Sequence, residues 1–229
     1  VIFGNNPRRF VISPEMLDKV SVPTMERVYK SLFSNAAGSV VRIVGNVNLE
    51  EIKPLVEKYI GSIPTGKKAP KWVDTKEELV KGHIHHHFDT QMTTPKSTVV
   101  LVASADMKNT LENTVLASAV NYILDLIYTE TIREEEGGTY GVSSFGSIAE
   151  LPKNQYVLQI AFDTDPEKAH KLIELAHKGL NSLAESGPSA DFLAKAKENF
   201  LKNIPENHIN NSYWKGQLGD YYRYGKDFD

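Results

Sequence analysis

The sequence predicts a two-layer α+β fold, a mainly antiparallel sheet with helices on one face, and three stretches predict it. From Leu111 the apolar residues fall at Val115, Leu116, Ala119, Tyr122, Ile123, Leu126 and Ile127, the spacing of a helix of about six turns with one buried face. Residues 139–148 and 155–163 alternate with a period of two around the turn Pro152-Lys153-Asn154, which reads as a β-hairpin. Ser97 to Ser104 is almost continuously apolar, as expected of a central strand covered on at least one face.

Two helices follow the hairpin. Asp165-Pro166-Glu167 opens one that carries Leu172, Ile173, Ala176, Leu180 and Leu183. Gly187-Pro188-Ser189 ends it and caps another, with Phe192, Leu193, Ala196, Phe200 and Leu201 inward, and Pro205 is expected to break that run. Residues 207–224 hold Tyr213, Trp214, Tyr221, Tyr222 and Tyr224 at helical spacing, which points to core or interdomain packing rather than to a platform for bases or sugars.

Upstream, residues 1–22 read as a lead-in with a short helix after Ser13-Pro14. Residues 23–64 form a helix-strand-helix unit. Met25, Val28, Tyr29, Leu32 and Phe33 make one helix face, Ser39 to Val44 the strand, and Ile52, Leu55, Val56, Tyr59 and Ile60 the second face, behind the capping-box spacing of Asn48 and Glu51. Residues 65–80, opening with Gly66 and other turn formers, read as a linker, and residues 81–229 as the main α+β domain, incomplete at its C-terminus. The chain begins at Val1 without a charged-then-apolar leader and ends without a tail, so it is expected to be part of a longer polypeptide.

Composition bounds the function. Of 229 residues, 41% are apolar and 24% charged, the balance of an ordinary globular chain. A net charge of −3 with no basic stripe argues against a nucleic-acid partner, and the longest apolar runs fall short of a membrane span. The absence of cysteine removes disulfides and thiolate metal sites and leaves the compartment open.

Two clusters carry candidate chemistry. On a strand, His83, His85 and His87 would share one face about 7 Å apart, a span that a zinc ion can bridge. They do not match a zinc-peptidase helix motif, because Ile84 and His86 stand where a glutamate is needed, so an exposed strand surface is the expected reading and metal binding the weaker alternative. The second cluster ends the long helix at Thr131-Ile132-Arg133-Glu134-Glu135-Glu136-Gly137-Gly138-Thr139-Tyr140. A glycine there supplies a left-handed closing residue, so Arg133 falls in the last helical turn and Tyr140 near the start of the next strand. A guanidinium and a phenol then converge at one corner, both as hydrogen-bond donors. The alternative is structural, with Arg133 answering the helix dipole and Tyr140 half-buried in the strand. Three glutamates in that last turn oppose the dipole by roughly 0.3–1 kcal/mol each, a local conflict of the kind found at functional sites and on solvated surfaces.

The run Ile-Arg-Glu-x-x-Gly-x-x-Tyr, residues 132–140, resembles the signature of the pitrilysin/insulinase family of zinc peptidases, which includes the mitochondrial processing peptidases. Val44-Gly45-Asn46-Val47-Asn48-Leu49-Glu50-Glu51-Ile52 through Gly61-Ser62-Ile63-Pro64 resembles the unit that closes one repeat in that family, and the two stretches together take in most of the chain. The resemblance implies a processing-peptidase-like metallohydrolase fold and a non-zinc, C-terminal-type domain of a metallopeptidase. Arg133 and Tyr140 would bind the peptide substrate beside the metal, with no catalytic residue in this chain alone, which is expected to be inert. Zinc, its ligands and the general base would lie elsewhere in the full-length protein, on a zinc-bearing domain of the same polypeptide or on a partner subunit. The alternative is a non-catalytic structural or assembly relative that binds a protein partner. Residues 24–64 are also expected to dock where the next repeat's own closing unit belongs, within one chain or by exchange between two.

Overall fold

The computed structural model describes residues 1–226 except Gly138 and Tyr140, with Glu135 described by its backbone alone. In chain order the elements are α1 (Pro14–Leu17), α2 (Val22–Phe33), α3 (Leu49–Tyr59), β1 (Ser97–Asp106), α4 (Leu111–Tyr128), a π-helical turn (Thr129–Glu135), β2 (Val142–Ala149), β3 (Gln155–Thr164), α5 (Pro166–Ser186), α6 (Ala190–His208) and α7 (Asn211–Tyr224). They divide between two compact units, Val1–Asn5 with Lys76–Leu201, and Asn6–Thr75 with Lys202–Asp229.

The first unit is the α+β domain. Its sheet has the order β1-β3-β2 with both ladders antiparallel, Ser97 opposite Thr164 and Val142 opposite Phe162. Alternation along β3 buries Leu158, Ile160, Phe162 and Thr164, while Gln159 and Asp163 stay exposed. The buried row meets Val99 of β1, Leu124 and Tyr128 of α4, Ile132 of the π-helical turn, and Leu172 and Ala176 of α5. Each such side chain contributes on the order of 1.5–3 kcal/mol through burial, which is why the helices lie on this face. Tyr128 is fully buried and donates its hydroxyl to the Ala176 carbonyl at 2.9 Å, joining α4 to α5. Burial first, and the Asp125 charge second, push that phenol far above its ordinary pKa, so it stays a neutral donor. Gly179 allows this approach, since a Cβ there would meet the Tyr128 ring at 2.8 Å.

The apolar run around β1 predicts a central strand, but β1 is an edge strand and β3 is central. A continuous apolar run records covered faces, and here Val99 is buried while Val100 is 51% exposed. The expected break at Pro205 is also absent, because α6 continues to His208. Pro205 removes one hydrogen bond within the last turn, where the helix is already ending. No single apolar run in the sequence is long enough to span a bilayer, yet the helical stretch Leu111–Glu134 is, by length and composition, long and apolar enough to cross one. Its apolar residues are interspersed, and Leu124, Tyr128 and Ile132 pack on the sheet as in a core helix.

In the second unit, α2 starts at a Ser21 cap whose hydroxyl accepts from the Thr24 amide at 3.3 Å, and α3 at Asn48, whose side chain accepts from the Glu50 amide at 3.0 Å. Both helices are strongly amphipathic, yet neither buries a residue: Met25, Tyr29, Leu32 and Phe33 of α2 are all exposed. The expected strand at residues 39–44 does not form, and among the described residues the sheet consists of β1, β3 and β2. A strand exists only as half of a pair, and β-branched composition supplies one half. The strand through which residues 24–64 were expected to dock is therefore absent among the described residues. Asn35 holds the start of the linker, donating to the Lys68 carbonyl at 3.0 Å and accepting from the Gly66 amide at 2.7 Å. The aromatic stretch expected to pack in the core or between domains buries no residue of α7; its rings pack on one another, with Tyr213 and Trp214 edge to face at 5.2 Å.

Candidate functional site

The corner after α4 is built from both sides. Upstream, α4 starts at a Thr110 cap and carries Asn121 and Asp125 on the side facing β2. One Asp125 carboxylate oxygen accepts from the Ser144 amide at 2.8 Å and from its hydroxyl at 2.7 Å, and Asn121 donates to the Gly146 carbonyl at 2.9 Å. A Cβ at Gly146 would strike the Tyr156 hydroxyl and lie 2.6 Å from Asn121 Oδ1, so glycine is what lets β2 sit this close to α4. The seam fixes where the strand must arrive.

Between these anchors α4 does not close as an α-helix. Residues Thr129–Glu135 form a π-helical turn, with Ile132 fully buried beneath it and Arg133 exposed on its surface. The Thr131 hydroxyl donates to the Ile127 carbonyl at 2.8 Å within the turn. Such turns are uncommon and recur at functional sites, because the wider winding turns a side chain out of the helix's own register. Periodicity from Leu111 predicts plain α-helix here. Ile132 follows the buried Tyr128 by the four residues of ordinary helical spacing, so the apolar pattern carries no signal of the wider winding.

The acidic helix end finds its counter-charges on α5. Lys171 Nζ lies 2.6 Å from Glu136 Oε2, and Lys168 Nζ lies 3.4 Å from the Gly137 carbonyl. Gly137 adopts the left-handed conformation, at φ +56°, that the sequence assigns to this place. The dipole conflict is thus partly relieved from a neighbouring helix, and Arg133 has no ion pair with another described side chain. Tyr140, the second expected donor, lies outside the described residues.

The histidine cluster has another fate. Residues 83–89 form no strand, and His83, His85, His86 and His87 are exposed. His87 Nε2 lies 3.2 Å from Asp89 Oδ1. Among the described residues no group of three His, Asp or Glu side chains is placed to hold a metal ion, so the zinc implied by the resemblance has no fitting ligand set here.

Residues 19–200 match the family model described as peptidase M16 inactive domain. Among curated proteins, the probable zinc protease PqqL of Haemophilus influenzae is 25% identical over 157 residues, 67% of this chain and 16% of that protein. PqqL of Escherichia coli is 26% identical over 184 residues, 76% of this chain and 19% of that protein. The chain therefore spans less than a fifth of these relatives. Among solved structures, the ferredoxin protease FusC in complex with Arabidopsis ferredoxin superposes at a TM-score of 0.70 with 16% identity, over 98% of this chain and 24% of that one. A peptidase M16 inactive domain from Pseudomonas fluorescens superposes at 0.70 with 17% identity, over 99% of this chain and 54% of that one. At these identities the likeness establishes the fold, the α+β arrangement expected from the sequence.

Proposed function

The chain belongs to the M16 peptidases as an inactive domain of that family, and from that premise we propose that it binds peptide substrate for a zinc site located elsewhere in the full-length protein. The observation that carries this reading is the π-helical turn: it holds Arg133 exposed, above a fully buried Ile132, at a corner seated on β2 by Asp125 and clasped by Lys171. An exposed guanidinium at such a place is a hydrogen-bond donor for a substrate carbonyl or for the oxyanion that develops from it. Tyr140, seven residues on, is the second donor in this proposal. Zinc would supply the activated water when bound to its own domain, and this chain's part is to hold and orient the peptide.

The test is peptidase kinetics of the full-length protein with Arg133→Ala and Tyr140→Phe. Removing one preorganised donor in other acyl-transfer sites lowers kcat by roughly 10²–10³, or about 2.7–4 kcal/mol, and a loss of that order is expected here. Wild-type rates in both variants would remove the substrate-binding role and leave the domain as an assembly element of the fold.

A further inference from the structure

The π-helical turn that carries Arg133 is anchored on both sides of that residue. Ile132, just before it, is fully buried in the core. Glu136, three residues on, reaches α5: its Oε2 lies 2.6 Å from Lys171 Nζ, with the glutamate side chain 30% exposed. One residue further, the Gly137 carbonyl lies 3.4 Å from Lys168 Nζ, and Gly137 itself is left-handed at φ +56°. Arg133 stands between the buried anchor and the clasped one, exposed and without an ion pair to another described side chain.

The two anchors differ in kind. Apolar burial holds Ile132 whatever the charges around it, but the far end of the turn opposes itself. Glu134, Glu135 and Glu136 put three consecutive carboxylates at a helix C-terminus, where the last backbone carbonyls already carry partial negative charge and have no partner within the helix. Among the described residues, the side-chain cations that answer Glu136 and the Gly137 carbonyl are Lys171 and Lys168, both from α5. Glu136 is partly buried, so its pair with Lys171 is screened less than an ordinary surface ion pair. Lys171 also starts from an anchored backbone, since the next residue, Leu172, is buried in the core.

We propose that Lys171 is a positioning residue for Arg133: by clasping Glu136 it holds the π-helical turn wound, and with it the place from which the guanidinium projects. The inference rests on the substrate-binding reading of Arg133, and Lys171 itself touches no substrate. Without Lys171, Ile132 stays in the core while the turn frays from Glu136 back towards Arg133. The donor is then present but no longer held in one place, and a rate advantage that depends on preorganisation falls. Lys168 supports the same end more weakly, because its contact is longer and goes to a neutral carbonyl.

The test is a mutant cycle in the full-length protein. Lys171→Ala is expected to lower kcat by about threefold to fivefold with little change in KM, the size of effect that one partly exposed ion pair supports. In an Arg133→Ala background the same change is expected to do nothing, because a residue that acts through Arg133 has nothing left to position. Glu136→Gln should match Lys171→Ala, Lys171→Glu should fall further, and Lys171→Glu combined with Glu136→Lys should recover most of the rate. Lys178→Ala, at an exposed lysine two turns along α5, controls for lost surface charge and should leave the rate unchanged. Hydrogen exchange gives a readout independent of activity: in Lys171→Ala the amides of residues 133–137 should exchange at least about threefold faster, with those of residues 124–128 unchanged. Equal losses from Lys171→Ala in both backgrounds, or unchanged exchange at residues 133–137, would overturn the proposal. Wild-type rates for Arg133→Ala would instead overturn the substrate-binding reading, and exchange at residues 133–137 would still decide whether Lys171 holds the turn.

Discussion

Replacing Asp125 with alanine tests whether the corner is seated by the α4–β2 seam. The carboxylate accepts two hydrogen bonds from one residue, the Ser144 amide at 2.8 Å and the Ser144 hydroxyl at 2.7 Å, both in a partly buried setting. Hydrogen bonds to a charged acceptor are worth roughly 1.5–3 kcal/mol each, and the two share one oxygen, so their sum is less than twice that. The amide loses its acceptor outright, whereas the hydroxyl keeps the Asn121 carbonyl, 2.9 Å away. The expected loss is therefore about 2–4 kcal/mol, read as a lower urea midpoint at unchanged slope. Ser144→Ala removes only the hydroxyl contribution and should cost about 1 kcal/mol. In a double-mutant cycle the two changes should fall short of additivity by 0.5 kcal/mol or more, as residues in one network do. An Asp125→Ala loss below about 0.5 kcal/mol, or strict additivity with Ser144→Ala, would refute the reasoning, because such values belong to exposed sites that share no partner.

Other outcomes follow from the same geometry. Ile132→Ala, at a fully buried position under the π-helical turn, should destabilise the domain by about 2–5 kcal/mol in denaturant titration. Its amide exchange protection around residues 129–135 should fall with it, while a loss confined to distant residues would argue against Ile132 as the anchor of the turn. The Asp163 carboxyl is held below its ordinary pKa, first by the Thr98 hydroxyl and then by Lys96 at 2.9 Å. A depressed folded pKa means stability present in full above the unfolded value, about 3.9, and lost as pH falls through the lower folded value. Thr98→Val should therefore flatten the acid limb of the stability curve below about pH 4, and an unchanged limb would remove Thr98 as the cause.

What could be read from the sequence follows from which properties are local. Leu124, Tyr128 and Ile132 lie four residues apart on one helix face, and Leu158, Ile160 and Phe162 two apart on one strand face, so both buried rows are written in consecutive spacings. The hairpin is equally local, since its two strands pair across a short turn, and the left-handed Gly137 needs only its own backbone. Sheet order is different. Val99 to Ala103 reads the same whether its neighbours are present or absent, so β1 looked central and stands at an edge, and residues 39–44 looked like a strand and have no strand partner among the described residues. Both errors have one cause: pairing is a relation between distant segments, and an apolar run states a need without stating what meets it.

The site divides along the same line. The place of Arg133 at a helix end was legible because residue type and position are local, but the way it is presented was not. Its exposure follows from three supports: Ile132 buried in the core beneath a turn that packs on α5 and β2, Ser144 tied back to Asp125, and Lys171 reaching from α5 to Glu136. The three glutamates that look misplaced beside the helix dipole acquire a partial reason only when α5 is in place, since Lys171 offsets Glu136 and Lys168 reaches the Gly137 carbonyl. The remaining acidic charge lies beside a guanidinium with no ion pair among the described side chains. Exposed charges interact weakly through water, so Glu134 constrains Arg133 little, and the guanidinium keeps its donors available for a carbonyl or a carboxylate that arrives from outside.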